Sequence, residues 1–296
     1  MNRLLSLPIL AAAVAAGAAR SQAPTELRIS FIPDQNVATL EKIADKITAY
    51  LSKETGVKVV YEKSADYQAC VNGLAANKLD MVWFGGVTLC QADERTKGKT
   101  VVVACRDIDL KFKSYLIASK DALDKGLVKP VEKLADLKAQ AKGLKFTFGA
   151  KDSTSGHIMP RHFLVEAGLD PETAFAGKPE YSGNHNNTFT AVTTGAVDLG
   201  AINYTVWDAK KEEDRKGAKI VFTTPAYVDY CFAAHNRLGD ELIGKLRAAL
   251  VKLDAKDPAH KEVLDAWKCK QFVAADGKQW DGIRSVLKSL PKDFLQ

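Results

Sequence analysis

Several things are missing from this chain of 296 residues, and each absence removes a class of function. It contains no Gly-x-Ser-x-Gly nucleophile elbow, so a hydrolase of that kind is not expected. No glycine-rich run leads into Lys-Ser or Lys-Thr, which argues against a nucleotide phosphate loop. Cysteine is scarce at five residues, and no Cys-x-x-Cys occurs. The five histidines, His157, His162, His185, His235 and His260, lack the spacing of metal ligands. His162 and His260 read as helix-face residues. No aromatic-interleaved basic stripe is present, so nucleic acid is a poor partner. The expectation is therefore a protein with no catalytic residues, no cofactor and no metal, which binds rather than transforms.

Long apolar runs are confined to the start. Arg3 is the only charge before a stretch from Leu4 to Ala19 of mostly Leu, Ala, Val, Ile and Gly, followed by small residues such as Ser21 and Ala23. A basic start, a short apolar core and small residues predict a cleaved secretory signal over residues 1–23. At about 16 residues the run is short of the roughly 20 that a membrane span requires. The mature chain is expected to be soluble and periplasmic. Its net charge of +6 falls to +4 once Arg3 and Arg20 are removed, a mild field that favours anionic solutes.

Apolar periodicity then alternates between two patterns. Leu27 to Ile32 reads as a strand ended by Pro33, and Thr39 to Thr55 as a helix with Leu40, Ile43, Ile47, Tyr50 and Leu51 on one face. Gly56 closes that helix. Val57 to Tyr61 reads as a strand, Tyr67 to Asn77 as a helix and Leu79 to Phe84 as a strand running into Gly85-Gly86. The pattern repeats with a strand at Gly143 to Phe148, a helix at Ser155 to Ala167, a helix including Phe189 to Thr194, and strands at Val197 to Ile202 and Ile220 to Thr223. This predicts an α/β fold of two lobes with a ligand cleft between them. The expected division is residues 24–114 plus 228–296 in lobe 1 and 115–227 in lobe 2. Crossovers are expected near Lys113 to Ala118 and Tyr227 to Ala233, with helices from Asp240 onward packing on the first lobe.

Three glycine- or serine-rich turns lead into helices: Phe84-Gly85-Gly86-Val87-Thr88, Ser153-Thr154-Ser155-Gly156-His157 and Ser182-Gly183-Asn184-His185. A helix N-terminus offers unpaired N–H groups and the positive end of its dipole, and glycine lets a ligand approach the backbone. One such turn is ordinary capping. Three together point to an anion site.

These turns, with Asp66-Tyr67, Leu79 to Gly86, Phe146-Thr147-Phe148-Gly149, Met159-Pro160, Thr223-Thr224-Pro225 and Asp229-Tyr230, resemble the phosphonate-type periplasmic binding proteins of ABC transporters. Within that group the likeness is to the branch associated with phosphite, selenate and arsenic oxyanions. The resemblance spans nearly the whole mature chain and implies a type II two-lobed fold. By motif it implies ligand contacts at Tyr67, Gly86, Thr88, Ser153, Thr154, Ser155, His157, His185 and Asn203. Asn186 and Asn203 stand where those proteins commonly carry acids, which counts against a phosphonate. Cys105, after Val101-Val102-Val103-Ala104 and beside Arg106, reads as a cleft thiol whose neighbouring cation favours thiolate. Thiolate suits a soft centre such as trivalent arsenic. The run from Cys105 through Arg106-Asp107-Ile108-Asp109 resembles the arsenite sensors of the AioX type, with Cys105 as arsenic ligand and a membrane histidine kinase as partner. That gives the leading expectation, a monomeric arsenite sensor. The alternative is the substrate-binding component of an ABC importer, with a permease as partner, for phosphite, phosphonate, selenate or arsenate.

Overall fold

The computed structural model describes residues 24–291, so the expected signal segment lies outside the described residues. Local signals account for the first elements. Asn36 accepts a hydrogen bond from Thr39 N and starts α1 (Val37–Thr55), and Gly56, at φ 70°, ends it in the left-handed conformation that glycine adopts without a Cβ penalty. Asp66 caps α2 (Tyr67–Ala75) by accepting from Ala69 N. That cap places Tyr67 in the first turn. α3 (Gly86–Arg95) begins directly after Gly85.

Among the described residues, eleven strands form two sheets. The first has the order β11 (Phe272–Ala274), β4 (Thr100–Arg106), β10 (Cys231–His235), β3 (Met81–Phe84), β1 (Glu26–Phe31), β2 (Lys58–Tyr61). The second has the order β7 (Glu180–Tyr181), β6 (Phe146–Phe148), β8 (Leu199–Asn203), β5 (Ser114–Ser119), β9 (Ala218–Thr223). The α/β expectation holds. β1 runs parallel to β2 and β3, but β10 and β11 enter the first sheet antiparallel. In β5, Leu116 and Ala118 face one apolar cluster while Tyr115 and Ile117 face another, the period-2 signature of a strand covered on both sides. The segment after Asp240 packs into the core of the first sheet through Leu242, Leu246, Leu250, Val263, Trp267 and Trp280, as expected. It also contributes β11, which the periodicity did not show.

Both crossovers lie a few residues earlier in the chain than predicted. Ser114 to Ala118 and Cys231 to Ala233 are strands, and the chain passes between the sheets at 107–113 and 224–230. The two crossings pair with each other, Phe112 N donating to Tyr227 O at 2.7 Å and Tyr227 N to Phe112 O at 2.9 Å. Apolar content could not separate a crossing from a strand, because the crossing's Phe112, Tyr227 and Tyr230 are buried as deeply as strand residues. The stretch Ser155 to Ala167, read as one helix, opens as a wide turn, Thr154–Ile158, before the helix Met159–Glu166. In it Ile158 N reaches back five residues to Ser153 O, a geometry that recurs at functional sites.

Candidate functional site

The wide turn, α3 and the second crossing converge at the contact between the two lobes. Val87 N donates to Thr154 Oγ1 at 2.9 Å, Gly86 N to Asp229 Oδ1 at 3.2 Å, and His185 N to Asp34 O at 3.1 Å. Gly85 packs tightly here: a Cβ on it would stand 3.0 Å from Thr154 Oγ1 and 3.2 Å from Asp229 Oδ1. Gln68 and Gln91 of the first lobe both donate to Asp152 Oδ1 of the second at 3.0 Å. The two lobes are thus closed on each other in this structure.

A cluster of buried polar groups occupies this junction. Tyr230 Oη lies 3.4 Å from Ser155 Oγ and from His185 Nε2, and accepts from Asn203 Nδ2 at 3.2 Å. Asn203 N donates to His185 Nδ1, so the ring's proton belongs on Nε2, pointing at Ser155 and Tyr230. Burial drives the His185 pKa down to about 3, and the imidazole is therefore a neutral donor at physiological pH. Burial holds the phenols of Tyr67 and Tyr230 well above their ordinary range, so both keep their protons. Among the described residues, Tyr67 Oη and Asp229 Oδ2 are buried without a hydrogen-bond partner. Buried polar atoms without partners are rare and costly. A donor and an acceptor stand open at one junction, since Asp34, Asp229 and Ser153 are all neighbours of Tyr67.

Three of these groups, Asp34, Asp229 and Tyr230, were not singled out from the sequence as ligand contacts. Burial raises the carboxyl pKa values of Asp34 and Asp229 to about 6 and about 7 respectively. Asp229-Tyr230 stood out only as a matching motif, and Asp34 gave no signal beyond following Pro33. A small cavity adjoins the junction, lined by Asp34, Trp83, Arg106, Asn203, Tyr230 and Lys268 among others. Trp83 and Tyr230 stack in it with ring centroids 5.7 Å apart.

The predicted contacts divide on inspection. Tyr67, Gly86, Ser153, Thr154, Ser155, His185 and Asn203 meet at the junction. Thr88 Oγ1 donates back to Gly85 O at 3.0 Å within the first turn of its own helix. His157 is engaged elsewhere: Nδ1 is 2.6 Å from Lys151 O, Nε2 accepts from Arg161 Nε at 2.9 Å, and the ring packs on Phe148 and Tyr181.

Cys105 requires correction as a cleft thiolate. It is 0% exposed and belongs to the apolar core of the first lobe. Strand residues alternate between faces. Arg106 projects over Trp83, Phe112 and Tyr230 at 5.2, 5.9 and 5.3 Å, so its neighbour Cys105 points to the opposite face. Burial, opposed only partly by Arg106, pushes the Cys105 thiol up to about 12. A thiolate facing the cleft is therefore excluded at this position.

Gly156 brings the turn against its surroundings. A Cβ there would lie 2.8 Å from Ser153 Oγ, 3.0 Å from His185 Cε1 and 3.3 Å from Gly149 Cα. Gly156→Ala is expected to cost about 1–3 kcal/mol of stability, as overpacked sites do, and to weaken anion binding. Urea unfolding and ligand titration of the same variant check both effects.

Comparison with known proteins places this geometry among relatives. A profile described as ABC transporter, phosphonate, periplasmic substrate-binding protein matches residues 29–280. The chain is similar to a probable ABC transporter phosphite binding protein of Prochlorococcus marinus, at 36% identity over 276 residues and 91% of each chain. Among solved structures, the PhnD1 protein of Prochlorococcus marinus in complex with methylphosphonate aligns with a TM-score of 0.83 and 35% identity, covering 89% of this chain and 97% of that one. A binding protein component of an ABC phosphonate transporter from Pseudomonas aeruginosa aligns with a TM-score of 0.76 and 25% identity, covering 88% and 85%.

Proposed function

The chain belongs to the phosphonate-type periplasmic substrate-binding proteins of ABC transporters, and on that premise we propose that it captures phosphite or a small phosphonate for delivery to an ABC permease. The observation that carries this reading is the pair of open polar atoms at the lobe junction, Tyr67 Oη and Asp229 Oδ2. A singly protonated phosphorus oxyanion complements both. Its charged oxygen accepts from Tyr67, and its P–OH donates to Asp229. Neutral His185 and Ser155 supply further donors without adding charge, and two carboxyl groups, Asp34 and Asp229, disfavour a dianion. The acids expected near positions 186 and 203 are replaced in this role by carboxylates from other parts of the chain.

Arsenite sensing through a histidine kinase loses its support, since it rested on Cys105 as an exposed thiolate. Calorimetric titration with phosphite, methylphosphonate, phosphate and arsenite separates the readings. Phosphite or methylphosphonate is expected to bind. Tyr67→Phe should weaken binding by about 10- to 100-fold, the worth of a hydrogen bond to a charged group, and Cys105→Ser should leave it unchanged. Heat with arsenite alone, abolished by Cys105→Ser, would overturn the assignment.

A further inference from the structure

The antiparallel pairing of β4 with β10 sets two cysteines side by side. Phe232 pairs with Ala104, and one step along that register brings Cys231 beside Cys105. The outer partners agree, because Cys231 pairs with Phe84 on its other side and Cys105 with Val273. The row Phe84, Cys231, Cys105, Val273 therefore shares one face of the sheet. Directly opposed residues in such a pair have Cβ atoms about 4.5–5.5 Å apart, at or just beyond the upper end of the about 3.5–4.5 Å that a disulfide spans, and both thiols are unbonded in this structure. Both thiols are buried completely, and the Cys105 thiol is the leading electrostatic neighbour of Cys231.

Their place in the fold gives the pair its significance. Cys105 is followed by Arg106 and the first crossing, 107–113, while Cys231 ends the second crossing, 224–230. A bond between them joins the roots of both connections between the lobes, on the face opposite Arg106.

We infer that Cys105 and Cys231 form a disulfide when the chain folds in an oxidising compartment. Two thiol protons and two electrons leave, the Sγ–Sγ bond forms, and the oxidant, a disulfide-carrying thiol exchange protein, is reduced to its dithiol. The reaction belongs to the folding stage. Once the pair is buried, both thiols are held protonated, and protonated thiols exchange slowly. The bond anchors both crossings at the sheet and confines lobe motion to 107–113 and 224–230. It is independent of which anion is bound.

The test is thiol counting on the chain exported into a bacterial periplasm, quenched with N-ethylmaleimide and then denatured with excess reagent. Of the five cysteines, three are expected to be alkylated before reduction and all five after it. Unreduced digestion should yield one linked peptide containing Cys105 and Cys231. The Cys105→Ser variant should show all four of its remaining cysteines alkylated without reduction, a readout that does not depend on folding. Five alkylated thiols in the unreduced parent chain, a linked peptide joining other cysteines, or a variant still missing two thiols would each overturn the inference.

Discussion

Affinity for phosphite is expected to fall about tenfold for each pH unit above 8, and to stay level over the same range in an Asp229→Asn variant. Burial raises the Asp229 pKa to about 7, partly offset by the hydrogen bond from Gly86 N. A complex in which one proton is shared between Asp229 and a ligand oxygen must take up that proton once both free partners are deprotonated. Each pH unit then costs about 1.4 kcal/mol of binding. Asparagine carries no charge and can donate, so the variant accepts the dianion without proton uptake and should exceed the parent's affinity at pH 9. The other groups facing the site do not titrate in step with Asp229. His185 is neutral and Tyr67 and Tyr230 hold their protons, while Asp34 titrates near 6. Titration in buffers of different ionisation enthalpy measures the proton directly. An undiminished slope in the variant would place the linked proton on a group other than Asp229. The unliganded protein shows the opposite face of the same linkage. The stability contributed by Asp229 is full below the ordinary carboxyl pKa and is lost as pH rises through about 7.

The second large effect concerns Asp109. Arg106 and Asp109 form a buried ion pair, with Arg106 Nε donating to Oδ2 at 2.9 Å, Nη2 to Oδ1 at 2.6 Å and the Arg106 backbone N to Oδ2 at 2.9 Å. Burial opposes the charge on the guanidinium, and Asp109 more than offsets it, raising the Arg106 pKa. Asp109→Ala is expected to lower the unfolding free energy by about 3–5 kcal/mol, because it leaves a charge buried without its partner. In a chain of this size that corresponds to a drop in melting temperature on the order of 10 °C. Contacts with three aromatic rings retain some of the pair's environment but contribute only about 0.5–2 kcal/mol each. Replacing both partners, Arg106→Met with Asp109→Leu, should restore much of the loss. Chemical denaturation of the three variants measures this. A single variant as stable as the parent would show that the Arg106 charge reaches solvent.

The contrast between Cys105 and its neighbour explains which features could be read in advance. β4 runs Thr-Val-Val-Val-Ala-Cys-Arg with both faces covered, so polar and apolar residues do not alternate along it. A strand buried on both faces reads as a continuous apolar run. A one-residue change of phase exchanges its faces, and nothing local fixes that phase. The register with β10 and β11, including the irregularity between Phe232 and Ala233, settles it. Cys105 therefore lies in the core and Arg106 over the aromatic rings.

Elsewhere local chemistry was sufficient. Asn36 and Gly56 bound α1, Asp66 starts α2, and each of the three turns carries its own signal of caps and glycines within a few residues, so the sequence alone determined the α/β class, the first elements and the positions of the three turns. Only the tertiary structure decided what surrounds them. Asp34, Asp229 and Tyr230 reach the junction through the end of β1 and the second crossing, and His157 is turned toward Arg161. Caps and helical faces are set by neighbours within one turn, whereas a strand's outward face and a crossing's endpoint depend on pairing with residues more than a hundred positions away.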